Sequence, residues 1–156
     1  MTRIIQISDP HIVPYGQLAY GQVDTAKALA DCVETINRSL AEIGPVDMVI
    51  VTGDLTDFGT EEEYLRFRSL MEPLTLPYRA VPGNHDDVDV MRACFSDQFW
   101  MPLQGPINWI EHFDGLALIG LDSSVAGSAH GHLTDETLVF LSKMLEAQHD
   151  LSLIHI

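Results

Sequence analysis

Three short clusters of residues with metal-binding side chains occur in the first half of the chain, each after an apolar run. Asp9 and His11 follow the first run, Asp54 follows the second, and Asn84 with His85 follows the third. Carboxylate, amide and imidazole groups are ligands for divalent cations, and an imidazole also exchanges protons near neutral pH. The clusters therefore indicate a metal centre with acid–base chemistry.

The apolar runs are the elements that must bring these side chains together. They span residues 3–8, 47–52 and 78–81, and helix-like segments separate them. The middle run is continuously apolar, which predicts a strand buried on both faces, as in parallel sheets. Because parallel strands end at the same edge of a sheet, we expect the three clusters to meet there. The predicted fold class is α/β.

The spacing within the clusters suggests how each could hold a cation. Side chains at positions i and i+2 of a strand point to the same side, about 6.5 Å apart, so Asp9 and His11 are expected to converge while Pro10 ends the ladder. Asp54 follows the most buried strand, where a carboxylate without a partner is costly, and its two oxygens can bridge two cations. Gly53 is expected to leave room for the ions.

Each cluster alone also has a plainer interpretation. A lone Asp-x-His is typical of a helix-capping Asp and a surface His, and Asp54 and the nearby Asp57 are consistent with local turn capping. A plain turn also accounts for Gly83-Asn84-His85-Asp86. The metal hypothesis is favoured because all three clusters occur together and in this order.

Helical periodicity and turn signals predict the remaining elements. The first helix is expected from about residue 24 to 44, the second after a capping box at Thr60, and the third from Asp86 or Asp87. Two apolar runs then flank Asp114-Gly115, a hairpin signal that makes the predicted sheet mixed.

The last elements follow the hairpin. The final helix is expected from about residue 134 to 148, and residues 151–156 are expected to form a strand. Four apolar side chains are predicted to form the inward face of that helix: Leu138, Leu141, Met144 and Leu145.

Composition limits the classes of partner. The chain of 156 residues is about one domain and carries 8 Lys and Arg against 23 Asp and Glu, for a formal charge of -15. Nucleic-acid binding through a basic face is disfavoured, and bound cations are the simplest way for such a protein to hold a phosphate anion. Cys32 and Cys94 have no paired spacing, and no run resembles a signal peptide or a membrane span, so a cytoplasmic protein is predicted.

The three motifs together resemble those of the calcineurin-like metallophosphoesterases, which read Asp-x-His, Gly-Asp and Gly-Asn-His-Asp or -Glu. Residues 18–21, 121–124 and 131–136 are similar to bacterial class III cyclic-nucleotide and glycerophosphodiester phosphodiesterases. The resemblance covers residues 3 to about 150. It implies a mixed β-sheet with flanking helices, the N-terminal part of an αββα sandwich.

The resemblance also implies a role for each site residue. Asp9 and His11 would hold one metal, Asp54 would bridge both metals, and Asn84 would hold the second. His85 would either support the metal ligands or donate a proton near the leaving oxygen. The implied cofactors are two divalent ions, Mn, Fe, Zn or Co, roughly 3.5–4 Å apart, which activate a hydroxide for in-line attack. The implied substrate is a small phosphodiester.

The family pattern also contains a later His at a strand end and a Gly-His-x-His motif, and the chain ends before the second of these. We therefore expect a C-terminally truncated domain over residues 1–150 and a non-native tail over 151–156, in which His155 is not a native ligand. The other histidines outside the motifs are expected on the surface: His112, His130, His132 and His149.

Two further functions stay open. A phosphomonoesterase of the same fold shares the three motifs, and an inactive metal-binding fragment would account for the missing His ligands. A dinucleotide-binding domain is disfavoured because no Gly-x-Gly-x-x-Gly follows the first strand. Truncation would leave an apolar strand edge, so self-association is expected.

Overall fold

Within residues 2–148 and Ser152, which the computed structural model describes, the chain forms five strands and four helices. In chain order these are β1 (Ile4–Ile7), α1 (Thr25–Ile43), β2 (Met48–Thr52), α2 (Glu61–Met71), β3 (Tyr78–Val81), α3 (Val88–Cys94), β4 (Trp109–Phe113), β5 (Leu116–Gly120) and α4 (Asp135–Glu146). The strand expected over residues 151–156 falls outside the described part except for Ser152, as do His149 and His155.

The first three strands form a parallel sheet in the order β1-β2-β3. Ile7 is paired with Val51, and Thr52 is paired with Val81, so the carboxyl ends of the three strands lie at one edge. Four of the five β2 residues are buried, as the continuous apolar run predicts. The predicted meeting place of the three clusters is confirmed.

Capping residues set the helix boundaries close to those predicted. The Asp24 side chain accepts a hydrogen bond from the Lys27 backbone at the start of α1, and the helix ends at Gly44. Thr60 and Glu63 form the predicted capping box of α2. The buried faces of these helices and of α3 pack over the sheet around a core that includes Phe67, Met91 and Phe95.

The predicted hairpin is present, but it forms its own sheet. β4 and β5 are antiparallel across the Asp114-Gly115 turn and make a two-stranded sheet beside the three-stranded one. One reason lies at the free edge of β3, where the Ala80 carbonyl accepts a hydrogen bond of 2.7 Å from the Trp109 indole instead of a backbone amide. The parallel and antiparallel parts of the predicted sheet both exist, in two sheets that a side chain joins.

The inward face predicted for α4 is only partly right, since Leu141 and Met144 are half-buried but the other two predicted residues are exposed. Thr137 is the buried residue of this helix, whereas Leu138 is 45% exposed and Leu145 is 37% exposed. The reason is that α4 lies beside an open cavity, which Leu141 helps to line, and not over a closed core. None of the described helices combines the length and apolarity needed to cross a membrane.

Candidate metal centre

The ends of β1 and β2 bring three of the predicted ligands together. One carboxylate oxygen each of Asp9 and Asp54 and one imidazole nitrogen of His11 all lie within 4.8 Å of one another. Asp54 is 7% exposed, and Asp9 lies at the surface of a cavity that both carboxylates line. Two carboxylate oxygens and an imidazole nitrogen are a donor set that Mn, Fe, Co and Zn accept.

The backbone that positions these three residues is not that of a strand. Asp9, His11 and Asp54 have φ angles of 53°, 42° and 48°, in the left-handed region that residues other than glycine seldom adopt. The prediction that Asp9 and His11 converge as strand neighbours is therefore wrong, because β1 already ends at Ile7. Such backbone conformations are costly and cluster at functional sites.

Hydrogen bonds between the loops maintain this unusual backbone. The Asp9 amide donates to the Gly53 carbonyl at 3.3 Å, and the His11 amide donates to the Asp54 carbonyl at 2.9 Å. The Thr25 hydroxyl, in the first turn of α1, donates to the His11 carbonyl at 2.9 Å. The pairing of β1 with β2 thus continues past Pro10 in an irregular form, which corrects the expectation that Pro10 ends it.

Two glycines allow the loop after β2 and the loop after β3 to touch. A Cβ on Gly53 would lie 3.2 Å from the Gly83 Cα, and a Cβ on Gly83 would lie 2.1 Å from Asp54 Oδ1. Gly53 therefore serves loop packing, and it also lines the cavity with Asp9 and Asp54, so that its expected role in making room for ions stays a prediction. Because Gly83 has no side chain, the Asp54 carboxylate can lie where a Cβ of residue 83 would otherwise be.

The two oxygens of Asp54 have different surroundings. Oδ1 accepts a hydrogen bond of 3.0 Å from the His85 backbone amide. Oδ2 lies 3.5 Å from His11 Nε2, which is longer than a normal hydrogen bond. Oδ2 and Nε2 therefore face each other without being bonded, as two ligands of one cation would.

Asp57 belongs to the site, although the sequence interpretation gives it only a local turn role. Its Oδ1 lies 3.1 Å from His11 Nδ1, and its carbonyl lies 2.8 Å from His85 Nδ1. A nitrogen that faces a carboxylate or a carbonyl acts as the donor, so Nε2 of each ring is left free. A ligating histidine commonly donates its other ring N–H to a carboxylate in this way. The spacing Gly53-Asp54-x-x-Asp57 is the sequence signal that could have indicated this role.

His85 lies beside His11 with its ring edge to face, at a centroid distance of 4.7 Å. The hydrogen bond to the Asp57 carbonyl raises the pKa of His85, as do the nearby charges of Asp54, Asp57 and Asp86, while burial opposes them. His11, Asp57 and His85 form a second group of three donors within 4.8 Å. We favour the Asp9 group as the metal site because Asp57 already binds Nδ1 of both rings.

Asp86 holds the loops together. Its carboxylate accepts hydrogen bonds from the backbone amides of Leu55 and Gly83 at 3.0 and 2.8 Å, and from the Tyr64 hydroxyl at 3.0 Å. The amide and hydroxyl of Thr56 also donate to it. Burial raises the pKa of Asp86, and these hydrogen bonds oppose that effect. Its carboxylate is thus committed to the framework of the site.

Asn84 is exposed and lines the same cavity as Asp9 and Asp54, whose volume is about 900 Å³. The structure thus places Asn84, the fourth predicted ligand, in the lining of the same cavity as the two carboxylates. His130, predicted to be a surface residue, is indeed exposed, but it lines this cavity as well.

The charge at the centre fits a bound cation. In the described part of the chain, the lysine and arginine ion pairs are Lys27–Asp31, Arg68–Asp97 and Arg79–Glu111, and none involves Asp9, Asp54 or Asp57. Among the described residues, no lysine or arginine is paired with these three carboxylates, and an added positive charge at the centre would offset their like charges.

Comparison with known proteins gives a consistent result. The model of the family described as calcineurin-like phosphoesterase matches residues 2–155. A probable glycerophosphodiester phosphodiesterase, GpdQ, of Arcobacter nitrofigilis is 38% identical over 142 residues, which are 91% of this chain and 51% of the relative. The cAMP/cGMP dual specificity phosphodiesterase of Mycobacterium tuberculosis is 34% identical, over 91% of this chain and 44% of the relative.

A third relative and one solved structure extend the comparison. The 3',5'-cyclic adenosine monophosphate phosphodiesterase CpdA of Pseudomonas aeruginosa is 31% identical over 92% of this chain and 50% of its own length. The structure of a purple acid phosphatase from yellow lupin seeds superposes with a TM-score of 0.59 at 17% identity, over 94% of this chain and 28% of that one, and shows a shared fold. The chain spans about half the length of the three curated relatives.

Proposed function

Because this chain belongs to the calcineurin-like phosphoesterase family, we propose that it carries the metal centre of a hydrolase that cleaves small phosphodiesters. The observation that carries the proposal is the convergence of Asp9, His11 and Asp54 within 4.8 Å at the carboxyl ends of parallel strands. Active sites of α/β folds commonly lie at this edge.

We assign the metal ligands as follows. Asp9 and His11 would hold one ion, Asp54 would serve as a ligand of both ions, and Asn84 would offer its amide oxygen to the second ion. Oxygen and imidazole donors without a thiolate suit Mn, Fe, Zn or Co. Bound divalent cations supply Lewis-acid stabilisation of the phosphoryl oxygens and lower the pKa of an attacking water.

The residues around the ligands have complementary roles. Asp57 orients the His11 ring so that Nε2 is available as a ligand. In its imidazolium form, His85 would donate its Nε2 proton to the leaving oxygen, while its Nδ1–H is held by the Asp57 carbonyl. Asp86 and Gly83 keep the Asp54 carboxylate in place.

The names of the relatives support a diester as the substrate, of the glycerophosphodiester or cyclic-nucleotide type.

We extend the proposal to the rest of the molecule. Residues 1–150 form the N-terminal part of a larger phosphoesterase domain, the protein acts in the cytoplasm with Cys32 and Cys94 as free thiols, and it self-associates. Cell fractionation and sedimentation test the last two statements.

Hydrolysis of two substrates tests the proposed function. At millimolar Mn²⁺, which fills weak sites, we expect bis(4-nitrophenyl) phosphate to be cleaved faster than 4-nitrophenyl phosphate. Asp54→Asn should abolish this activity, while Asp114→Asn, which removes one charge at the exposed hairpin turn, should leave it unchanged. Faster cleavage of the monoester would favour a phosphomonoesterase. An equal rate for the Asp54 variant would contradict the proposed site.

A further inference from the structure

The cavity at the candidate metal centre is also lined by the segment that follows β5. Asp9, Asp54 and Asn84 line the cavity, and Ser123 and His130 line it as well. The volume of about 900 Å³ lies within the range of small-molecule sites, about 300–1,000 Å³. Residues of both segments therefore line one cavity that is large enough for a small phosphodiester.

The charges of the lining single out His130. Among the described residues that line the cavity there is no lysine or arginine, and much of the surface is apolar, as at Ile50, Trp109 and Leu118. His130 is the side chain in this lining that can carry a positive charge. A phosphodiester anion needs polar donors in addition to metal ions, and His130 offers a ring N–H for this purpose.

The segment that carries His130 is held by a buried carboxylate. Asp122 is 5% exposed, and its Oδ2 accepts a hydrogen bond of 3.0 Å from the Ile107 amide. Its Oδ1 accepts from the amide and the hydroxyl of Ser124 at 2.9 and 2.7 Å. These bonds attach the segment after β5 to the segment before β4.

The backbone next to His130 is fixed against this anchored segment. The His132 amide donates to the Ser123 carbonyl at 2.8 Å. A Cβ on Gly131 would lie 3.1 Å from the same carbonyl, so the chain packs closely on Ser123 immediately after His130. The position of His130 is therefore set by the fold, although its side chain is exposed to the cavity.

His130 is separate from the candidate metal ligands. Neither group of three metal-binding donors found among the described residues includes it. We propose that His130 is a substrate-binding residue, which donates a hydrogen bond to the anionic diester from the segment after β5 that lines the same cavity. This inference rests on the proposed function.

Kinetics of variants test the proposal at millimolar Mn²⁺. For bis(4-nitrophenyl) phosphate, we expect His130→Ala to raise KM by about tenfold with little change in kcat, because it removes one hydrogen bond to an anion. His130→Gln retains an N–H donor and should recover part of the affinity. His132→Ala is the matched control, since His132 is exposed in the same loop but does not line the cavity. An unchanged KM for His130→Ala, or an equal rise for His132→Ala, would overturn the proposal.

Binding measured without turnover separates this inference from the proposed function. In the Zn²⁺-loaded chain, titration with diethyl phosphate should shift the His130 ring signals in the NMR spectrum and leave those of His132 in place. A shift at His130 in a chain that cleaves no diester would support the binding role and refute the proposed function. A chain that cleaves diesters while the His130 signals and KM stay unchanged would refute the binding role alone.

Discussion

His11 and Asp57 are joined by a hydrogen bond of 3.1 Å between the imidazole Nδ1 and the carboxylate Oδ1. The bond fixes the ring so that Nε2 points toward the carboxylate of Asp54, 3.5 Å away. One residue outside the predicted motifs thus determines which ring nitrogen can bind a cation. The carbonyl of the same residue holds His85, so Asp57 positions both imidazoles.

Asp57→Asn should weaken metal binding without unfolding the chain. An amide retains the shape of the carboxylate but loses its charge, and loss of such an oriented partner costs about 10–100-fold in metal affinity. Isothermal titration with Mn²⁺ measures the effect, with Asp114→Asn as the control for charge alone. Equal affinities of these two variants would show that Asp57 does not act through His11.

Asp54→Ala should damage metal binding more than Asn84→Ala. A bridging carboxylate supplies charge to both ions, whereas the amide supplies one neutral oxygen to one ion. Mn²⁺ titrations of both variants give the order. Equal losses would argue against a bridging role for Asp54.

Gly83→Ala should disrupt the site through a steric clash. The new Cβ would lie 2.1 Å from Asp54 Oδ1 and 2.3 Å from the Asp54 amide nitrogen, so the carboxylate must move. We expect a loss of stability of about 1–3 kcal/mol and the loss of metal binding. Gly127→Ala is the control, because a Cβ at Gly127 meets nothing within 4 Å and only its φ of 70° opposes it. Normal Mn²⁺ affinity in the Gly83 variant would contradict the packing described.

Tyr64→Phe should destabilise the fold by about 1–3 kcal/mol. The hydroxyl of the fully buried Tyr64 donates to Asp86 and accepts from the Asp87 amide at 2.9 Å, so its removal leaves that amide and the Asp86 carboxylate each short of one partner. Urea unfolding measures the change. Tyr20→Phe, at a residue that is 75% exposed, should shift the free energy of unfolding by less than about 0.5 kcal/mol.

Much of the fold follows from periodic patterns. The capping signals at Asp24 and Thr60 and the hairpin signal at Asp114-Gly115 lie where the structure has the corresponding boundaries. Parallel pairing then brings Asp9, His11 and Asp54 together, because the carboxyl ends of parallel strands lie at the same edge of the sheet. Local sequence is sufficient for these features.

The remaining features depend on contacts between distant residues. The left-handed backbone at Asp9 and His11 is maintained by hydrogen bonds from their backbone amides to the carbonyls of residues 53 and 54, which no local pattern encodes. The role of Asp57 depends on two histidines from other loops, and the exposure of α4 depends on the open cavity beside it. The link between the two sheets likewise includes a side-chain contact, the hydrogen bond from the Trp109 indole to the Ala80 carbonyl.

Metal retention is the most direct test of the proposed centre. With Asp9, His11, Asp54 and Asn84 as ligands, the second ion has about two protein donors and should bind weakly. After dialysis of the Mn²⁺-loaded chain against metal-free buffer, metal analysis should find at most one ion per chain. It should find none in an Asp9→Asn/Asp54→Asn variant. Phosphodiester turnover should be negligible in both dialysed proteins. A dialysed chain that retains two ions and hydrolyses bis(4-nitrophenyl) phosphate, or a double variant that retains as much metal as the wild type, would contradict the assignment of these four residues as the ligand set.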